Sequence, residues 1–61
     1  MPMVTVDWMA GRTPEQKREV AARITAAIAE AGGASADHVW VVFNDVAPDD
    51  WAIGGRMVSD R

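Results

Sequence analysis

Cysteine is absent from the 61 residues, which excludes disulfide bonds as a source of stability. Histidine occurs once, as His38, whereas zinc sites take several His or Cys ligands at set spacing, so we expect neither a metal ion nor another cofactor. A chain this short buries only about 60% of the surface that its unfolded form exposes. Because 49% of its residues are nonetheless hydrophobic, including three Trp, the composition favours an oligomer.

Positive charge is also scarce, since six basic residues face nine acidic ones and the net charge is −3. The basic residues form no stripe, so we expect no nucleic-acid partner. The longest apolar run, Val39 to Phe43, is far short of the ~20 residues of a membrane span, and no membrane partner is expected. The first residues lack the basic and apolar regions of a signal peptide, which favours a cytoplasmic location.

Local patterns predict one strand followed by one helix in the first half of the chain. Residues Met3 to Met9 alternate apolar and polar side chains, as in a strand with one face on a core. Thr13 and Gln16 have the spacing of a capping box around Pro14, which suits the first helical position. We predict that the helix ends at a left-handed Gly32.

A second strand is predicted from about His38 to Val46, with apolar residues on both faces, as in a parallel sheet. A short hairpin turned at Gly54-Gly55 follows a turn-rich loop. The predicted fold class is therefore α/β (α+β), a βαβ unit with parallel strands plus a C-terminal hairpin, in a single domain over residues 1–61. Because one helix covers only one sheet face, we expect a neighbouring subunit on the other.

Common catalytic motifs are missing from the chain. Neither Ser35 nor Ser59 lies in a Gly-x-Ser-x-Gly elbow, and Asp45 is interpreted as a turn former. The remaining candidate is the dipeptide Met1-Pro2, because removal of the initiator methionine would leave Pro2 with a free secondary amine. Apolar surroundings and a nearby cation lower the pKa of an amine, so such a group can act as a base near neutral pH.

Three motifs accompany this dipeptide at characteristic spacing. They are Gly11-Arg12-Thr13, Glu15-Gln16-Lys17 and Ile53-Gly54-Gly55. Together with Pro2, these motifs resemble the 4-oxalocrotonate tautomerase family over the whole chain. The resemblance implies a βαβ unit with a C-terminal hairpin, assembled as a hexamer that is a trimer of dimers. It also implies proton transfer in an enol or 2-keto acid.

The resemblance further implies roles for individual side chains. Pro2 matches the family's proton-shuttling proline, and Arg12 matches the arginine that holds a substrate carboxylate. Trp51 matches an aromatic residue that keeps the proline dry. Trp40, however, stands where the best-studied members carry a second arginine, and a tryptophan offers only one N–H donor. Two Trp side chains favour a small acid with an apolar or aromatic body and one carboxylate.

Four hypotheses about function stay open at this point. The first is a tautomerase that uses Pro2 and Arg12. The second is a related decarboxylase or hydratase in which Pro2 acts as an acid. The third is a non-catalytic subunit of a mixed oligomer, and the fourth is a small interaction module in which Pro2 has no chemical role.

Overall fold

The computed structural model describes residues 1–61 and contains one helix and four strands. In chain order the elements are β1 (Met3–Met9), α1 (Pro14–Gly32), β2 (Trp40–Val46), β3 (Ala52–Ile53) and β4 (Arg56–Met57). Short 3₁₀ turns at Ala36–His38, Pro48–Asp50 and Val58–Asp60 connect or follow them. The one helix, α1, does not have the length and hydropathy of a membrane-spanning segment.

Strands β1 and β2 pair in parallel, with Met3 opposite Trp40 and Met9 opposite Val46. Helix α1 connects them, so the predicted βαβ unit is confirmed. One sheet face carries Val4, Val6 and their partners Val41 and Phe43, all half-buried. Asp45 shares this face with Val41 and Phe43 and forms an ion pair with Lys17 of α1, so the helix lies over this face, as the alternation of β1 predicts.

The start of α1 follows the predicted capping box. The backbone N–H of Gln16 donates to Thr13 Oγ1 at 3.2 Å, and the backbone N–H of Thr13 donates to Gln16 Oε1 at 2.9 Å. The predicted end of the helix is wrong by one residue, because Gly32 is still helical and Gly33 adopts the left-handed φ of 71°. Either glycine suits a C-cap, so the sequence pattern does not separate them.

The predicted start of the second strand is also wrong. His38 lies in a 3₁₀ turn, where its N–H donates to the Ser35 carbonyl at 3.0 Å. The N–H of Val39 donates to the Ala36 carbonyl at 3.2 Å, so it too is unavailable to the sheet. Pairing with β1 begins only at Trp40, whose N–H donates to the Pro2 carbonyl at 2.9 Å.

The C-terminal hairpin is confirmed, with Ala52–Ile53 antiparallel to Arg56–Met57. Its turn residues Gly54 and Gly55 have φ of 60° and 83°, the left-handed values that a two-residue type I′ turn requires. The hairpin forms its own small sheet and does not pair with β1 or β2.

The second face of the β1–β2 sheet is open in a single chain. Met3 and Trp40, which are paired at its edge, are 63% and 54% exposed. No residue of the chain is fully buried, and its extents of 42 × 24 × 14 Å describe an elongated, flat molecule. The apolar surface of this face is of the kind that a second protein surface normally covers.

Candidate active site

Pro2 and Trp40 lie together at the edge of the sheet where both strands begin. The Pro2 carbonyl accepts the Trp40 N–H at 2.9 Å, and Pro2 itself is half-buried. Met1 precedes Pro2 and is 78% exposed. The Pro2 nitrogen is an amide while Met1 is attached, so it becomes a basic amine only when that residue is removed.

Arg12 lies just beyond the opposite end of β1. Its Nη1 donates to the Met9 carbonyl at 2.8 Å, and its guanidinium carbon lies 4.6 Å from the ring centroid of Trp8. The Nε and Nη2 groups have no hydrogen-bond partner within the chain. These two groups provide the planar pair of donors that binds a carboxylate.

A polar cluster beside Arg12 joins three elements of the fold. The Trp8 indole N–H of β1 donates to Asp45 Oδ1 of β2 at 2.8 Å, and Lys17 of α1 forms an ion pair with Asp45 Oδ2. The hydrogen bond from Lys17, followed by that from Trp8, holds the pKa of Asp45 below its ordinary value of 3.8. Asp45 therefore stays a carboxylate at neutral pH.

Sequence reasoning missed this cluster. It interpreted Asp45 as a turn former, whereas the residue lies within β2, directly opposite Trp8 in the parallel register. The sequence pattern predicted for Trp8 only a place in the alternating strand Met3 to Met9. The register of a parallel pair depends on packing across the crossover helix, so no local pattern indicates that these two residues meet.

The two residues proposed for chemistry do not come together within one chain. Pro2 precedes β1 and Arg12 follows it, and a seven-residue strand spans roughly 20 Å at its usual rise. Trp51 follows β2 and the Pro48–Asp50 turn and is half-buried. Its backbone carbonyl accepts the Val58 N–H at 2.8 Å. Among these four residues, Trp40 and Pro2 are the pair joined by a hydrogen bond within the chain, and Arg12 and Trp51 both follow the strand ends at which Met9 pairs with Val46.

Arg56, the cation that follows the Gly54-Gly55 turn, is engaged locally. Its Nη2 donates to the Asp60 carbonyl at 3.0 Å, within the last turn of the chain. No group of three His, Asp or Glu side chains is arranged to hold a metal ion, and the single chain encloses no pocket.

Comparison with known proteins identifies the family. Residues 2–61 match the model of the family described as tautomerase enzyme. The 2-hydroxymuconate tautomerase of Bacillus subtilis is 40% identical over 60 residues, covering 98% of this chain and 97% of the relative. The chain belongs to the tautomerase family, which makes it an isomerase.

Solved structures agree with this assignment. A homologue of 4-oxalocrotonate tautomerase superposes with a TM-score of 0.95 at 38% identity, covering 98% of each chain. A heterohexameric 4-oxalocrotonate tautomerase from Chloroflexus aurantiacus gives a TM-score of 0.91 at 30% identity, covering 98% of this chain and 97% of the other. The predicted tautomerase fold is thereby confirmed, and the individual roles of Pro2, Arg12, Trp40 and Trp51 stay predictions.

Proposed function

We propose that this protein moves a proton within a small enol or 2-keto acid, with Pro2 as general base after removal of Met1. The observation that carries the proposal is the family match, which begins at Pro2 and extends to the end of the chain. A neutral proline amine takes a proton from the enol and returns one to carbon, so the reaction is balanced without a cofactor.

Arg12 binds the substrate carboxylate in this proposal. Its free Nε and Nη2 groups form a fork that matches the two carboxylate oxygens, and a guanidinium stays charged at any working pH. The charge also attracts the negative charge that develops on the substrate as its enol hydroxyl loses a proton. Arg12 thus orients the acid and stabilises the enolate.

The active site then forms between subunits. The roughly 20 Å along β1 is too long for one small acid to contact both Pro2 and Arg12 of a single chain. The open sheet face with Met3 and Trp40 supplies apolar surface for such contacts, and one structural relative is a heterohexamer. We therefore propose a homo-oligomer, with a hexamer as its expected form.

Trp40 and Trp51 determine the type of substrate. Trp40 lies beside Pro2 and gives the site an apolar wall where a second cation would otherwise help to bind a diacid. A second carboxylate placed against indole would lose its hydration without gaining a partner. The preferred substrate is therefore a monoacid with an aromatic or apolar body.

Ketonisation of phenylenolpyruvate, followed by ultraviolet absorbance, tests the proposal. Mass spectrometry first establishes that Met1 is absent from the purified protein. We expect Pro2→Ala to lose most of the activity. A small residual activity should remain, since alanine keeps a primary amine. Arg23→Ala, which changes a surface ion pair with Glu19 on the exposed helix face, serves as the control.

Two outcomes would contradict the proposal. A protein that retains Met1 and is still active would exclude the Pro2 amine as the base. An unchanged rate and pH profile in Pro2→Ala would do the same. Release of carbon dioxide or hydration of the substrate in the same assay would favour the alternative in which Pro2 acts as an acid.

A further inference from the structure

Arg12 is restrained by a series of contacts that runs from Lys17 of α1 through Asp45 of β2 to Trp8 of β1. Lys17 pairs with Asp45, Asp45 accepts the Trp8 indole N–H at 2.8 Å, and the Trp8 ring lies 4.6 Å from the Arg12 guanidinium carbon. Trp8 also stacks on Phe43, with ring centroids 5.1 Å apart and planes inclined by 17°. The indole is therefore held both at its N–H and at its ring.

We propose that Trp8 is a positioning residue for Arg12, and that Asp45 and Lys17 fix the orientation of its indole. This role rests on the proposed function, in which Arg12 binds the substrate carboxylate. Trp8 itself acts only through Arg12, by offering its ring to the guanidinium before the substrate arrives.

The geometry leaves the carboxylate-binding donors of Arg12 available. A cation over an aromatic ring is attracted to the face of that ring, and the Met9 carbonyl takes a hydrogen bond from Nη1. Two restraints on one planar group reduce its freedom to rotate, whereas Nε and Nη2 stay unpaired. An arginine that is already ordered loses less side-chain entropy when it binds its ligand.

The charges of the cluster support the same role. Asp45 is an anion that would compete with a substrate for Arg12; its pKa is lowered chiefly by the hydrogen bonds from Lys17 and Trp8, and its attraction to Arg12 is the smallest contribution. Lys17 pairs with Asp45 directly and compensates its charge. Two cations and one carboxylate then leave one positive charge, which matches a substrate with a single acid group.

Kinetics of Trp8 variants test the role. Trp8→Leu removes the aromatic face, and we expect kcat/KM to fall about two- to fivefold, mainly through a raised KM, as a partly exposed cation–π contact implies. Trp8→Phe keeps a ring but loses the N–H to Asp45, so a smaller rise is expected. In an Arg12→Ala background, Trp8→Leu should add nothing, because the effect of Trp8 passes through Arg12.

A matched pair of charge variants provides the control. Lys17→Met and Arg23→Met each remove one cation from the chain, but only Lys17 belongs to the cluster, since Arg23 pairs with Glu19 at 2.8 Å. We expect a raised KM in Lys17→Met and wild-type kinetics in Arg23→Met. Equal kinetics in the two variants would overturn the role of Lys17 and Asp45.

Nuclear magnetic relaxation of the Arg12 side-chain Nε–H measures its order without any substrate. We expect a high order parameter in the wild type and a low one, below about 0.6, in Trp8→Leu. An unchanged order parameter, with an active wild type, would overturn the positioning role alone. An inactive wild type would instead overturn the proposed function. If Trp8→Leu fails to fold, Trp8→Phe and Lys17→Met decide by the same two measurements.

Discussion

Two strongly impaired variants should recover activity when they share one oligomer. One variant carries Pro2→Ala and the other Arg12→Ala, so each lacks one of the two proposed groups. Because the residues lie at opposite ends of the seven-residue β1, roughly 20 Å apart, the proposed function requires each site to take them from different subunits. A mixed oligomer can therefore contain sites in which both groups are intact.

The expected recovery follows from counting the subunits. In a random equal mixture, half of the subunits provide an intact Pro2 and half provide an intact Arg12. If the two groups of a site come from different subunits of a symmetric oligomer, roughly a quarter of the sites are complete. A site built within one subunit would give no complete site in the same mixture.

The assay requires true mixed oligomers. The two variants are unfolded, combined and refolded together, native mass spectrometry confirms mixing, and phenylenolpyruvate ketonisation measures activity. Each variant refolded alone is the control. Mixed oligomers with no more activity than these controls would refute the shared site.

Three further predictions concern specificity, stability and pH. Trp40→Arg should raise kcat/KM for 2-hydroxymuconate relative to phenylenolpyruvate, because it adds a cation beside Pro2 for the second carboxylate. A strong preference of the unmodified protein for the diacid would contradict this interpretation of Trp40. Thr13→Ala should destabilise the protein by about 1 kcal/mol in denaturant unfolding, since it removes the 3.2 Å cap to Gln16, and an unchanged midpoint would argue against the cap. Asp45→Asn should lower the melting temperature at neutral pH. The folded-state pKa of Asp45 lies below its ordinary value of 3.8, so the contribution of Asp45 to folding stability is complete above that value and is lost as pH falls through the lowered pKa. The melting temperatures of variant and wild type should therefore converge in acid. A constant difference between them at all pH values would disprove the linkage.

Elements that depend on neighbouring residues were predictable from the sequence. The alternation from Met3 to Met9 places every second side chain on one face, so the strand and its bounds follow directly. The capping box and the Gly54-Gly55 turn each need only a few adjacent residues. The family resemblance rests on motifs of the same local kind and is confirmed over residues 2–61.

Features that depend on competition between local alternatives were harder to predict. His38 directly precedes the apolar run Val39 to Phe43, but its N–H is used in a 3₁₀ turn, and the strand starts at Trp40. Gly32 and Gly33 both tolerate the left-handed conformation, and only the second adopts it. Local propensity does not separate such alternatives, because adjacent residues of the same type suit the same position.

The sequence by itself determined the order of the elements, the helix N-cap, the hairpin turn and the family, because each of these depends on residues that are close along the chain. Only the tertiary structure joined Trp8 to Asp45 across the sheet and to Arg12 beyond its end. It alone also separated Pro2 from Arg12 by the length of β1. The physical reason is that distances between elements depend on the register of the parallel strands, which the packing of α1 establishes and no local pattern encodes.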